Sequence, residues 1–209
     1  MNILLVDPPF YRFFNYFNRY FPQGLSYLSA VLKKAGHQVT IYDADCNKNS
    51  KEINYARLPE KYPIYLKEIK NSENPIIKEI SETLARYNPD IVGVTVMTPK
   101  VASAFTVASL AKKYNKNCYV VFGGPHATLR PDEILKNSKD VDFVVNGEGE
   151  IVLLELVNAL SANGSNFSAI NGLSYRHEDK IIHNNTRKFV DNLDCLPFPD
   201  RGSLMGSDT

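Results

Sequence analysis

The sequence has no tryptophan and only three cysteines in 209 residues, Cys46, Cys118 and Cys195, each more than seventy residues from the next. That spacing forms no Cys-x-x-Cys pair and no zinc-type cluster, so the thiols read as buried or incidental. A charge excess is missing too. With 24 basic and 23 acidic side chains the formal net charge is +1, which argues against nucleic acid or an anionic membrane as partner. No apolar run approaches the ~18 residues of a membrane span, and Ile3 to Val6 is too short for a signal-peptide core. The chain reads as cytoplasmic. Nucleotide signatures are equally absent: no G-x-G-x-x-G follows the first apolar run, and G-x-x-x-x-G-K-[ST] occurs nowhere. A small-molecule or protein partner is left.

What is present is an alternation of short apolar runs with segments of helical period. Asn2 to Asp7, His37 to Asp43, Asp90 to Met97, Cys118 to Phe122 and Val141 to Val145 read as strands. Gln23 to Ala35, Pro75 to Tyr87, Ala102 to Tyr114 and Ile151 to Leu160 read as the helices between and after them. Strands that are apolar throughout, regularly alternating with helices, imply a parallel sheet covered on both faces. The expected fold is therefore α/β, a doubly wound five-stranded parallel sheet, with the two common strand orders both open. Residues 1–165 form the expected domain and 166–189 a β-hairpin appendage turning at Glu178-Asp179. Residues 190–209, dense in proline around Asp194 to Gly202, are the expected extended linker. Residues 44–72 read as a surface excursion with some helix near Ile64 to Ile69.

In either strand order, ligands bind beyond the carboxyl ends of the strands. The loops there are Asp7-Pro8-Pro9, Thr95-Val96-Met97-Thr98-Pro99, Gly123-Gly124-Pro125-His126 and Gly147-Glu148-Gly149-Glu150. A glycine pair lets backbone approach a bulky ligand with no Cβ in the way, although it also serves to make a tight turn. Glutamates entering a helix are favoured by its dipole whatever the loop binds.

Pro-x-Gly-Leu-x-x-Leu-x-Ala-x-Leu-x-x-Ala-Gly-His at Pro22 to His37, the Gly123 and Gly147 loops, and Leu196-Pro197-Phe198-Pro199-Asp200-Arg201 occur in order over nearly the whole chain. Together they resemble the amino-terminal cobalamin-binding domain of cobalamin-dependent radical S-adenosylmethionine enzymes. The resemblance implies that cobalamin is bound by Asp7, Pro8, Pro9, Phe10, Phe13, Thr95, Met97, Thr98, Gly123, Gly124, Pro125, His126, Gly147, Glu148 and Gly149. It also implies a parent enzyme of methyltransferase or cyclase type. That enzyme's radical S-adenosylmethionine domain, carrying a four-iron four-sulfur cluster and S-adenosylmethionine, would be the partner of this module. The cluster-binding Cys-x-x-x-Cys-x-x-Cys is absent, so the chain reads as a fragment without catalytic residues of its own. Methionine-synthase-like relatives of this fold place a cobalt-ligating histidine in Asp-x-His-x-x-Gly after the first strand. Here Asp7-Pro8-Pro9-Phe10 has none, and no protein ligand to cobalt is expected. Two rival readings stay open: a stand-alone nucleotide- or sugar-nucleotide-binding enzyme using Glu148 and Glu150, and a cofactor-free docking scaffold.

Residues 10 to 21 pack eight aromatic rings into twelve positions. Phe10, Phe13, Phe14, Phe17 and Phe21 recur at helical spacing, leaving Tyr11, Tyr16 and Tyr20 elsewhere. That phenylalanine face has three possible uses: covering the corrin ring, packing on the domain's own core, or docking the catalytic domain.

Overall fold

The computed structural model describes residues 1–16, 20–46, 52–178 and 180–205. Five parallel strands, β1 (Asn2–Asp7), β2 (Gln38–Asp43), β3 (Ile91–Thr95), β4 (Tyr119–Gly123) and β5 (Phe143–Val145), lie in the order β2-β1-β3-β4-β5. This is the flavodoxin-like order, whose direction of winding reverses between β1 and β3 and leaves a crevice there. Pairing is in close register across that point, with Leu5 opposite Gly93 and Val6 opposite Val94.

The strands are apolar on alternate sides because both faces are covered. One face, including Leu4, Val6, Val92, Val94, Val120, Phe122 and Val144, packs beneath α2 (Leu58–Glu68), α3 (Pro75–Tyr87), α4 (Val101–Tyr114) and α6 (Pro131–Asn137). The other, including Ile3, Leu5, Ile91, Val121, Phe143 and Val145, packs beneath α1 (Gln23–Lys34) and α7 (Gly149–Ser161). Local chemistry sets the helix ends. Asn74 caps α3 by accepting the Ile76 N–H at 2.9 Å ahead of Pro75, and Asn88 closes it in the left-handed region at φ 38°. Among the described residues no helix is long and apolar enough to cross a membrane.

Three expectations need correction. The sheet has seven strands, not five, because β6 (Leu173–His177) pairs antiparallel with β5 and β7 (Lys180–His183) pairs with β6. The supposed appendage is continuous with the domain core: Leu173 and Tyr175 are buried against Phe143, with Phe167 edge-on to Phe143 at 5.0 Å. The hairpin turn has Glu178 at φ 53°, while Asp179 lies outside the described residues. Second, the segment read as a loop from Gly123 to His126 turns helical at Pro125. Pro125–Leu129 (α5) and α6 are short helices, each started by a proline whose missing N–H costs nothing at a first helical position. Third, residues 200–205 are not an extended linker but return to α1 and β2, where Leu204 bridges Ile41.

The aromatic segment also folds differently. Tyr11–Phe14 is a single 3-10 turn ended by Asn15 at φ 58°, not a helix presenting a phenylalanine face. Phe10 is buried, edge-on to Phe14 at 5.2 Å and to Tyr65 of α2 at 5.1 Å, and Phe13 meets Tyr65 at 5.5 Å. Of the three uses, these rings take the second, packing on the domain's own core. Phe17 lies outside the described residues.

A chain ending at residue 165 would bare Phe143 and the β5 edge, exposing surface now closed by Leu173 and Tyr175. Each large apolar side chain returned to water costs about 2 kcal/mol. We expect the 1–165 chain to be insoluble or largely unfolded by circular dichroism, whereas a cooperative native-like melt would restore the two-part division.

Candidate functional site

The reversal between β1 and β3 opens into a cavity of about 570 Å³. It starts at the carboxyl edge of the sheet and passes beneath α1 and α7. Leu5, Gly93, Val121 and Val145 line it from the strands, and Leu25, Leu28 and Leu153 from the helices. The side chains lining it from strands and helices are thus apolar, its floor carries the buried Asp7 and Lys100, and its mouth carries Thr95, Glu148 and Glu150.

Glycine makes the space. At Gly93 a Cβ would stand 2.8 Å from Leu5 Cδ2, so any side chain there drives Leu5 out of place. Gly124 adopts φ +95°, and its Cβ would meet Thr95 Oγ1 and Val96 N at 3.1 Å. That position needs glycine for the turn itself, whatever it binds. Gly123, by contrast, faces only Val145 Cβ at 3.9 Å.

Polar groups hold the floor rigidly. Lys100, just after β3, is buried and reaches Asp7 Oδ1 at 2.6 Å and Asp45 Oδ2 at 3.1 Å, the latter in ion-pair range without hydrogen-bond alignment. Asp45 Oδ1 in turn accepts the N–H groups of Phe10 at 2.7 Å and Arg12 at 2.9 Å. Ser103, held by Tyr65, donates to Pro9 O, and Arg12 forks onto Glu79. The loop after β1 is therefore pinned at four successive points. The ring it turns toward the cavity is Tyr11, joined at the mouth by the largely exposed Tyr20.

Burial works against the Lys100 charge, but the two carboxylates outweigh it and raise its pKa above the ordinary lysine value. Asp43, sharing the neighbourhood and accepting Asp45 N–H at 3.0 Å, is pushed up to about 7 by burial and by the charges of Asp7 and Asp45.

Of the residues singled out from sequence, Asp7, Thr95, Met97, Gly123, Gly124, Gly147, Glu148 and Gly149 line this cavity. Pro8, Pro9, Phe10, Phe13, Thr98, Pro125 and His126 do not. Phe10 and Phe13 point into the core because Tyr65 offers them an apolar bed, and His126 turns its Nδ1 to Thr98 Oγ1 at 3.2 Å. Sequence reasoning missed Gly24, Gly93, Tyr11, Tyr20 and Lys100. Gly93 carried a readable signal, since a glycine inside an apolar strand marks close approach; Lys100 carried none.

Sheet order, switch-point crevice and glycine-walled slot define a doubly wound α/β ligand-binding module. The chain belongs to the B12-binding domain family, which it matches over residues 14–157. It is 33% identical over 178 residues to an uncharacterized methyltransferase of Pyrococcus horikoshii, covering 85% of this chain and 33% of that protein. It is 28% identical over 187 residues to the anaerobic magnesium-protoporphyrin IX monomethyl ester cyclase of Rubrivivax gelatinosus, covering 88% of this chain and 29% of the cyclase. The chain thus spans about a third of the length of these relatives. In fold it is similar to the cobalamin-dependent S-adenosylmethionine radical enzyme OxsB, solved with aqua-cobalamin and S-adenosylmethionine bound. The TM-score is 0.66 at 19% identity, over 95% of this chain and 24% of that one.

Two outcomes follow from the charged floor. Lys100→Ala strands two buried carboxylates and is expected to cost ~3–5 kcal/mol, read as a lowered urea midpoint. Asp43, with a folded pKa of about 7 against 3.8 unfolded, holds a proton that unfolding releases. Its contribution to stability is full below the unfolded value and is lost as pH rises through the folded one. The melting temperature should therefore fall between about pH 4 and pH 8, and Asp43→Asn, which keeps the acceptor for Asp45 N–H, should flatten that slope.

Proposed function

We propose that this module holds cobalamin for a radical S-adenosylmethionine enzyme of methyltransferase or cyclase type, with the radical chemistry supplied by another domain of the same parent chain. The observation that carries the reading is the slot beneath α1 and α7. A corrin lying over the carboxyl edge needs a narrow apolar recess for the aromatic base at the end of its nucleotide tail, and Leu5, Val121, Val145, Leu25 and Leu153 make one. Gly24 and Gly147 leave open space where a Cβ would stand, with nothing within 4 Å. The carboxylates of Glu148 and Glu150 and the hydroxyl of Thr95 at the mouth suit the amide side chains around a corrin.

The relatives support the wider assignment, since one is named a methyltransferase and another a cyclase. Tyr20 and Met97 support the domain partner, because both line the cavity and are 71% and 46% exposed, apolar surface at the rim that a second domain would cover. The rival role for Glu148 as an enzyme's acid or base is weakened by its engagement, for Glu148 Oε2 accepts Val190 N–H at 2.8 Å. When bound, cobalamin supplies methyl transfer or electron transfer, and this chain's residues bind and orient it.

No histidine lines the cavity among the described residues. In this reading Tyr11 and Met97, which line the cavity, would take the contact with the corrin that the resemblance assigned to Phe10 and Phe13.

Titration with hydroxocobalamin should shift the corrin spectrum and give a co-eluting complex. Gly123→Val puts methyl groups into the recess at a position whose backbone tolerates a side chain, so it should weaken binding more than tenfold, about 1.4 kcal/mol or more, with far-ultraviolet dichroism unchanged. A folded variant that binds normally would remove the tail from this slot. Cobalamin reduced to the cob(II) state on the protein should show no nitrogen splitting in its electron paramagnetic resonance spectrum. Splitting that vanishes in His126→Ala would instead assign the cobalt a histidine ligand.

A further inference from the structure

The motif Leu196-Pro197-Phe198-Pro199-Asp200-Arg201 does not line the cavity, yet its end is docked on the outer side of a helix that does. After Phe198, 94% exposed, the chain turns back onto α1. The Asp200 N–H donates to Ser26 O at 3.0 Å. Its carboxylate accepts from Ser29 Oγ at 2.9 Å and Gly202 N–H at 3.1 Å, and pairs with Lys33 Nζ at 2.8 Å. Ser203, buried, accepts the Ile41 N–H at 2.8 Å, and Met205 N–H donates to Ile41 O at 2.9 Å.

The grip on α1 falls on Ser26, Ser29 and Lys33. The neighbouring stripe of the same helix, Leu25 and Leu28, lines the cavity together with Pro22, Gln23 and Gly24. A second contact lies at the mouth. The Arg201 guanidinium stands 5.6 Å over the Phe21 ring, and Phe21 O accepts the Gln23 N–H at 2.7 Å, between cavity-lining Tyr20 and Pro22. α1 is thus held from outside by the tail at the same turns that face the ligand on the inside.

We propose that Asp200 and Arg201 are positioning residues, which hold α1 and its Tyr20–Pro22 lead-in at the spacing from the sheet that the cavity requires, so that ligand affinity depends on the docked tail. The physical basis is preorganisation: a wall already fixed loses less freedom when the ligand arrives. Burial opposes the Asp200 charge, but the Lys33, Ser203 and Ser29 donors hold that carboxyl down to about 2. Its contribution is lost only as pH falls through that value, so the brace stays intact at neutral pH. The affinity arm of this inference rests on the cobalamin reading; the bracing arm does not.

The test uses the full chain with Asp200→Ala, Asp200→Asn and Arg201→Ala, read by amide hydrogen exchange, thermal unfolding and hydroxocobalamin titration. Asp200→Ala should speed exchange over residues 20–34 while β4 and β5 keep their protection, and should weaken binding roughly tenfold. Asp200→Asn, which keeps an oxygen for Ser29 and the backbone contact, should recover most of the affinity. Arg201→Ala, a surface change, should weaken binding severalfold with the melting temperature unmoved, an outcome that a purely structural role would not give. Unchanged exchange over residues 20–34 in Asp200→Ala would overturn the proposal, as would wild-type affinity in both alanine variants. If Asp200→Ala does not fold, Arg201→Ala decides by the same two readouts. If the wild-type chain takes up no cobalamin, the cobalamin reading fails, and exchange in the free variants alone accepts or rejects the brace.

Discussion

The buried ammonium of Lys100 is the constraint on which the ligand edge depends. It sits where the chains leaving β1, β2 and β3 converge, and it ties Asp7 of the first to Asp45 beyond the second. Asp45 then fixes the backbone of the β1 loop through two N–H groups. Three loops that would otherwise move independently are referred to one point charge. A buried ion pair of this kind is a poor source of net stability, but displacing any one member leaves a charge unpaired away from water, which penalises other geometries.

Much of this architecture was legible in the sequence, and the limits have physical causes. Apolar runs such as Asn2 to Asp7 and periodic segments such as Pro75 to Tyr87 report local burial, so the alternation of strand and helix could be read directly. The glycine loops could also be placed on one edge, because parallel strands all end there. Side-chain facing was another matter. Whether Phe10 or Tyr11 turned to the cavity hinged on Tyr65, more than fifty positions away, and a single 3-10 turn reverses the answer that helical spacing gives. Lys100 and Asp7 are separated by 93 positions, and nothing local to either announces the other. The hairpin was visible as a hairpin, but its attachment was not, since attachment resides in Phe143 of β5, Tyr175 of β6 and Phe167 of the loop before β6 meeting one another.

The cavity itself is made by omission. Apolar strands and helices of this density would close on one another, and the slot persists because Gly93 and Gly149 draw the elements together at defined points while Gly24 and Gly147 leave room beside them. Leu28 packs against the position where a Gly149 Cβ would be, at 3.2 Å, so α1 and α7 approach closely at the margin of the recess that both residues line. Close contact at its margin and absence of side chains within it are two uses of the same residue type.

The tail segment 203–205, which bridges to β2 at Leu204, also bears on how the protein behaves at high concentration. A parallel sheet exposes two rows of unpaired backbone groups, one along each outer strand, and such rows recruit other chains into continuous ladders. Here the β2 row is partly occupied by the protein's own Ser203 and Met205. The opposite row belongs to β7, only four residues long and bounded by exposed Lys180 and His183. Neither side offers a long, flat template. Colloidal behaviour is therefore linked to the docked tail: releasing it would uncover the β2 row, and self-association through that edge would become a competing fate for the chain.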